Sequence, residues 1–261
     1  MLSIAKLTRS FKSLANAMSF FFPIYIVHSD LQLALKYSIP IFFIVATGFI
    51  INDINDVEKD TINGKLNVLP QKEMSIQWAL VLYYSFLSIS LISIKLFIPG
   101  YKLFYYLVYL VLATNYDYIV RFKPSLKNLY VLCLALTHVA ILYILTSVSV
   151  LLLTCLVINV LSKEIFMDIR DLKGDGITFV KLYGVNVTNQ LLYFLQIALH
   201  SLASIFVYLN NDTSHVIILL LLFLLALIGF GIWRYSKCQS EIQMIRILIV
   251  QSLLIFGLIL L

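Results

Sequence analysis

Residues 37–60 read YSIPIFFIVATGFIINDINDVEKD. The 15 residues Tyr37 to Ile51 carry no charge, and the next nine hold three aspartates, a glutamate and a lysine. An uncharged run that ends abruptly in carboxylates predicts a membrane-inserted helix whose end emerges at the surface. If the helix continues through the acidic stretch at 3.6 residues per turn, Asn52, Asp56 and Asp60 stack at i, i+4 and i+8, with Asp53 beside them. Like charges at that spacing repel. A stripe of this kind calls for a cation, and magnesium fits: a hard ion that takes oxygen ligands, typically one or two carboxylates plus substrate phosphates.

The same pattern of apolar run and polar connection extends over the whole chain. The 261 residues are 61% hydrophobic and 12% charged, with mean hydropathy +0.97, against roughly 25% charged in a soluble domain. About nine stretches approach the length and apolarity of a spanning helix. They lie near residues 14–28, 37–51, 76–97, 101–120, 128–147, 149–166, 189–208, 215–235 and 242–261. Lipid cannot satisfy an open backbone, and these runs lack the alternation of a membrane barrel, so the spans are helices. No polar linker divides the chain, which predicts a single all-α membrane domain over 1–261. Residues 1–20 lack the clean pattern of a cleaved leader, because Lys6, Arg9 and Lys12 interrupt them, and are expected to form an amphipathic lead into the first span.

Charge gives the orientation. With the N-terminus in the cytoplasm, 16 of the 19 Lys and Arg residues fall on the cytoplasmic side, and only Lys36, Lys95 and Lys102 fall outside. The net charge of +6 is thereby assigned to cytoplasmic loops rather than to nucleic-acid binding. Cys133, Cys155 and Cys238 are far apart with no CxxC or Cys/His spacing. They read as buried structural thiols rather than a zinc site or disulfide framework.

Nine of the 13 acidic residues lie in two cytoplasmic connections. The second, residues 163–175, reads KEIFMDIRDLKGD. Asp168, Asp171 and Asp175 fall at i, i+3 and i+7, with Glu164 one turn earlier on that face. A single acidic run is often only a solvated surface. Two with helical stripe spacing, on one membrane side and each after an apolar span, point to a shared task. Facing each other, they would hold one diphosphate through bridging magnesium ions and make it a better leaving group.

With both motifs in view, the sequence resembles the UbiA superfamily of intramembrane prenyltransferases. The family's N-D-x-x-D-x-x-x-D matches Asn52, Asp53, Asp56 and Asp60, and its D-x-x-D-x-x-x-D matches Asp168, Asp171 and Asp175. Its middle motif, a Tyr followed by a basic residue and an Asn, matches Tyr116, Arg121 and Asn128. The resemblance implies a helical bundle around a central cavity open to lipid, with Mg2+ on the six aspartates binding a prenyl diphosphate. Ionisation there gives an allylic cation that alkylates a hydrophobic, aromatic acceptor. Asn52, Lys72, Tyr116, Arg121, Asn128 and Lys173 are the candidate substrate contacts. The implied place is the cell membrane, with the motif-bearing loops in the cytoplasm.

The chain also departs from the family. Where members continue N-x-x-x-R-P-x-P-x-G after the first motif, Asn67 stands at the arginine and Lys72 at the glycine. Asparagine cannot make the bidentate phosphate contacts of a guanidinium, which leaves Lys65 or Lys72 to supply a point charge. The departure keeps open a UbiA-type terpene cyclase, in which the cation is quenched within the prenyl chain and no acceptor is used. A transporter fits less well, since its sites lie near the midplane rather than at helix ends. Lys123 and Lys127 serve either as diphosphate contacts or as positive-inside anchors. Asp117 is expected at the interface, and His138 and His200 as neutral rings bonded within the bundle.

Overall fold

The computed structural model describes residues 2–62, 67–170 and 179–210 and seven isolated positions beyond them. Among the described residues there are nine α-helices and no strand. They are α1 (Leu2–Leu7), α2 (Ser10–His28), α3 (Leu31–Asn55), α4 (Val57–Ile62), α5 (Ile76–Phe97), α6 (Lys102–Phe122), α7 (Lys127–Thr146), α8 (Val150–Arg170) and α9 (Phe179–Asn210). The first seven expected spans correspond to α2, α3 and α5–α9. The last two fall almost wholly outside the described residues. Six helices, α3 and α5–α9, are long and apolar enough to cross a membrane, so this is a polytopic helical membrane protein.

Two helices are longer than the apolar runs alone indicate. Asp30 caps α3, its carboxylate accepting from Leu33 N at 3.0 Å, so the helix starts six residues before Tyr37. Such a cap satisfies a first-turn N–H that has no intrahelical partner. Helix α9 likewise begins at Phe179, and Gly184 (φ 81°, ψ 160°) breaks its first turns before the expected span. A backbone there is open to glycine and strained for other residues.

The chain forms two compact units, residues 1–122 with 140–146 and residues 123–139 with 147–261. In the first, α3 is the core helix, packed by α2, α5 and α6. Hydrophobic burial does not drive helices together in lipid, so van der Waals packing, helped by small residues that let backbones approach, contributes much of the association. Gly48 is such a residue: a Cβ there would lie 2.9 Å from the Ala113 carbonyl oxygen of α6. Leu7, Ile50, Val68, Leu69 and Ala79 form a buried cluster that ties α1 and the segment after the first motif to α3 and α5.

In the second unit α8 packs on α9 through Ile165, Phe166, Leu192 and Leu195. Gln196 donates to Ser162 Oγ at 3.3 Å across the same interface. The ring nitrogens of His200 lie 2.7 Å from Gln196 O and 3.2 Å from Leu222 O, as expected of a histidine bonded within the bundle. Cys155 is buried as expected, but Cys133 is exposed. Cys133 lies on α7, which presents the neighbouring Leu129 and Leu136 outward. An apolar helix surrounded by lipid does not need to bury its thiol. Cys238 lies outside the described residues.

Candidate functional site

The first motif sits where α3 meets α4. The helix is not continuous: α3 ends at Asn55, Asp56 adopts φ −88°, ψ 3°, and α4 starts at Val57. The stripe nonetheless survives the break. Asp56 N–H bonds Asn52 O at 2.9 Å and Asp60 N–H bonds Asp56 O at 2.8 Å, preserving the i, i+4 ladder. Asp53 and Asp60 are buried, only 7% and 3% exposed. A buried carboxylate is costly unless it is paired or hydrogen-bonded, and each has such a neighbour. Arg9 Nη2 donates to Asp53 Oδ1 at 2.7 Å, and Asn67 Nδ2 donates to Asp60 Oδ2 at 2.6 Å.

Arg121, expected as a diphosphate contact, is heavily engaged by protein groups. Its Nε is 2.8 Å from Asp117 Oδ2, one turn back on α6, and its Nη2 is 3.5 Å from Asp56 Oδ1. Nη2 also donates to the Asn55 carbonyl oxygen at the end of α3. Asp117 is therefore buried in an ion pair rather than simply interfacial. Tyr116 is half-buried on the preceding step of α6. Lys72 is exposed with φ 57°. This left-handed backbone falls at the position where the resembled family carries glycine.

The second motif begins at the end of α8. Asp168 is fully buried. Lys127 Nζ lies 2.6 Å from its Oδ1 and Asn128 Nδ2 donates to its Oδ2 at 3.0 Å, both from the first turn of α7. The middle motif thus supplies Asn128 to the second motif. Glu164, one turn before Asp168, is paired with Lys163 at 3.6 Å. Asp171, Lys173 and Asp175 lie outside the described residues.

Among the described residues no three His, Cys, Asp or Glu side chains converge into a ready metal cage. The donor set still suits magnesium, which is commonly held by one or two carboxylates with water and substrate phosphates. Two buried amide oxygens, Asn52 Oδ1 beside Asp53 and Asn128 Oδ1 beside Asp168, make no hydrogen bond among the described residues. Other buried polar atoms share this state, Asn189 Oδ1 among them, but these two stand beside motif carboxylates, where a hard cation or its water would satisfy each.

Arg9 and Asn67 are the partners that sequence spacing missed. Arg9 lies 44 positions from Asp53 in a basic segment that resembles an ordinary membrane anchor. Asn67 drew notice only as a missing arginine. Lys127 had two readings, and it turns out to hold a motif carboxylate.

The comparisons with known proteins follow the same lines. The model of the UbiA prenyltransferase family matches residues 18–251. A structure described as digeranylgeranylglyceryl phosphate synthase in membranes matches with TM-score 0.77 and 18% identity over 99% of this chain and 96% of that one. A UbiA homolog from Archaeoglobus fulgidus bound to GPP and Mg2+ matches with TM-score 0.69 and 19% identity over 98% and 99%. The apo structure of a homolog from Aeropyrum pernix K1 matches with TM-score 0.73 and 16% identity over 96% and 97%. At these identities the likeness carries the fold. No curated protein matches the chain in sequence.

Proposed function

The chain belongs to the UbiA prenyltransferase family, and we propose from that premise that it moves a prenyl group from a prenyl diphosphate to a hydrophobic, aromatic acceptor within the membrane. Asp53, Asp56 and Asp60 of the first motif and Asp168, Asp171 and Asp175 of the second hold Mg2+. The observation that carries the proposal is the two buried carboxylates, Asp53 and Asp168, each at the end of an apolar helix beside an amide oxygen that makes no hydrogen bond among the described residues. The homolog bound to GPP and Mg2+ supports the same assignment.

The six aspartates would hold the magnesium, which when bound would neutralise charge on the diphosphate and make it a better leaving group. The protein's own part is preorganisation. Lys127 and Asn128 fix both oxygens of Asp168, and Asn67 fixes Asp60. Ligands already oriented need no reorganisation when the charge develops. The apolar helices keep water from a cation that would otherwise be quenched as an alcohol. The motif loops and N-terminus face the cytoplasm of the cell membrane, supported by the 16 of 19 basic residues on that side.

A cyclase is the second reading, favoured by Asn67. At the position where an arginine is usual, its amide is committed to Asp60. Membranes incubated with Mg2+ and a labelled prenyl diphosphate separate the two. Turnover only when an aromatic acceptor is added supports transfer. A terpene hydrocarbon or alcohol formed without acceptor overturns transfer in favour of cyclisation.

A further inference from the structure

We propose that Arg9, at the junction of α1 and α2, is a diphosphate-binding residue of the first motif; this rests on the proposal that the motif receives a diphosphate. Arg9 lies outside residues 18–251 that match the family, so its assignment comes from the geometry of this chain.

Three observations carry it. First, Arg9 is at the motif: Nη2 is 2.7 Å from Oδ1 of buried Asp53. A cation bound at Asp53 Oδ2 would bring its anion next to the guanidinium. Second, the donors of Arg9 are mostly unspent among the described residues. A guanidinium has five N–H donors in a fixed fork, and among the described residues Arg9 gives one of them to a single carboxylate oxygen. Arg121, the other arginine of this unit at the motif, reaches Asp117, Asp56 and the Asn55 carbonyl oxygen. An arginine that served only to neutralise Asp53 would be expected to close on both carboxylate oxygens. Its side chain is 36% exposed, which leaves part of it open to a ligand.

Third, the group is held in place. Its Cζ stands 4.8 Å from the centroid of the Phe49 ring, one turn before Asp53 on α3, which fixes the guanidinium plane. The backbone of Arg9 is left-handed (φ 44°), turning the chain between the two helices. On one side of the turn Leu7 is fully buried and Lys6 is bridged to Glu73 at 2.9 Å. On the other side, no side chain caps the N-terminus of α2, whose dipole adds to the pull on an anion. The fork of a guanidinium matches two phosphate oxygens, and holding it in advance reduces the ordering cost of binding. Arg9 thereby supplies from the N-terminal side the bidentate contact that Asn67 cannot make.

The test measures binding without turnover, on the full-length protein in detergent, using a non-ionisable prenyl thiodiphosphate analogue with Mg2+ and, separately, Mn2+ alone. Arg9→Gln is expected to weaken the analogue about 10–100-fold, the range of a charge-assisted bond, while Mn2+ alone binds at least as tightly as in the wild type. Arg9→Lys keeps the charge and the Asp53 pair but loses the fork, and is expected between the two. Analogue affinity within twofold of wild type in Arg9→Gln overturns the proposal. So does equal loss of analogue and Mn2+ binding, which would mark a purely structural role. If Arg9→Gln does not fold, wild-type affinity in Arg9→Lys overturns it. Failure of the wild type itself to bind the analogue would sink the underlying assignment of a diphosphate instead.

Discussion

Replacing Lys127 with alanine should destabilise the protein by about 3–5 kcal/mol, the usual cost of stranding one member of a buried ion pair. The magnitude follows from the geometry. Lys127 Nζ stands 2.6 Å from Asp168 Oδ1, with Asp168 fully buried and the lysine side chain only 16% exposed. At an effective dielectric of about 20, two unit charges at that separation attract by roughly 6 kcal/mol. Much of that offsets desolvation in the intact protein. Without the ammonium, Asp168 keeps only the Asn128 bond at 3.0 Å among its described partners, and its own desolvation remains uncompensated. Asp168→Asn should cost less, because a lysine released from its partner can extend its ammonium toward water. The double variant leaves no stranded carboxylate and should lie within about 1 kcal/mol of Asp168→Asn, a large departure from additivity. Equilibrium unfolding in mixed micelles, with a chelator present, reads all four proteins. A loss below about 1 kcal/mol for Lys127→Ala, within the range of many ordinary substitutions, or additive losses in the double variant, would refute the argument.

Two further substitutions test the fold. Gly48→Ala places a methyl 2.9 Å from a backbone oxygen of α6, and overpacking of this kind should cost about 1–3 kcal/mol; unchanged stability in the same unfolding assay would mean that α3 and α6 do not approach so closely. Lys72→Gly relieves a left-handed residue (φ 57°) and should stabilise by up to about 1 kcal/mol after the added freedom of the unfolded glycine is counted; a lower midpoint would show that the backbone there is not left-handed.

Much of the fold could be read from single residues. Apolar runs located seven helices, and their limits were missed where polar chemistry intervened. Asp30, seven residues before the expected span 37–51, starts α3 by capping it, and α9 begins at Phe179, before Gly184 and ahead of the expected span 189–208. The first motif kept its helical register through the break at Asp56, because local hydrogen bonds preserve spacing even when the helix bends. Tertiary partners were less legible. Asn128 could be picked out only through family resemblance, and its bond to Asp168 spans 40 positions. Arg9 had no motif at all: its role comes from the turn between α1 and α2, and a basic segment at a membrane surface has an ordinary explanation. The exposed Cys133 illustrates the reverse error, since a preference for burial learned in water does not transfer to a lipid-facing helix.

The central claim is that these aspartates act on a prenyl diphosphate through magnesium. It is tested most directly by measuring inorganic diphosphate released from a labelled prenyl diphosphate by the purified protein, with and without Mg2+, in the wild type, Asp56→Ala and Asp171→Ala. The account predicts release that requires Mg2+ and falls about 100-fold or more in each variant, the scale of losing a preorganised electrostatic contact. Release at the wild-type rate by both variants would contradict it.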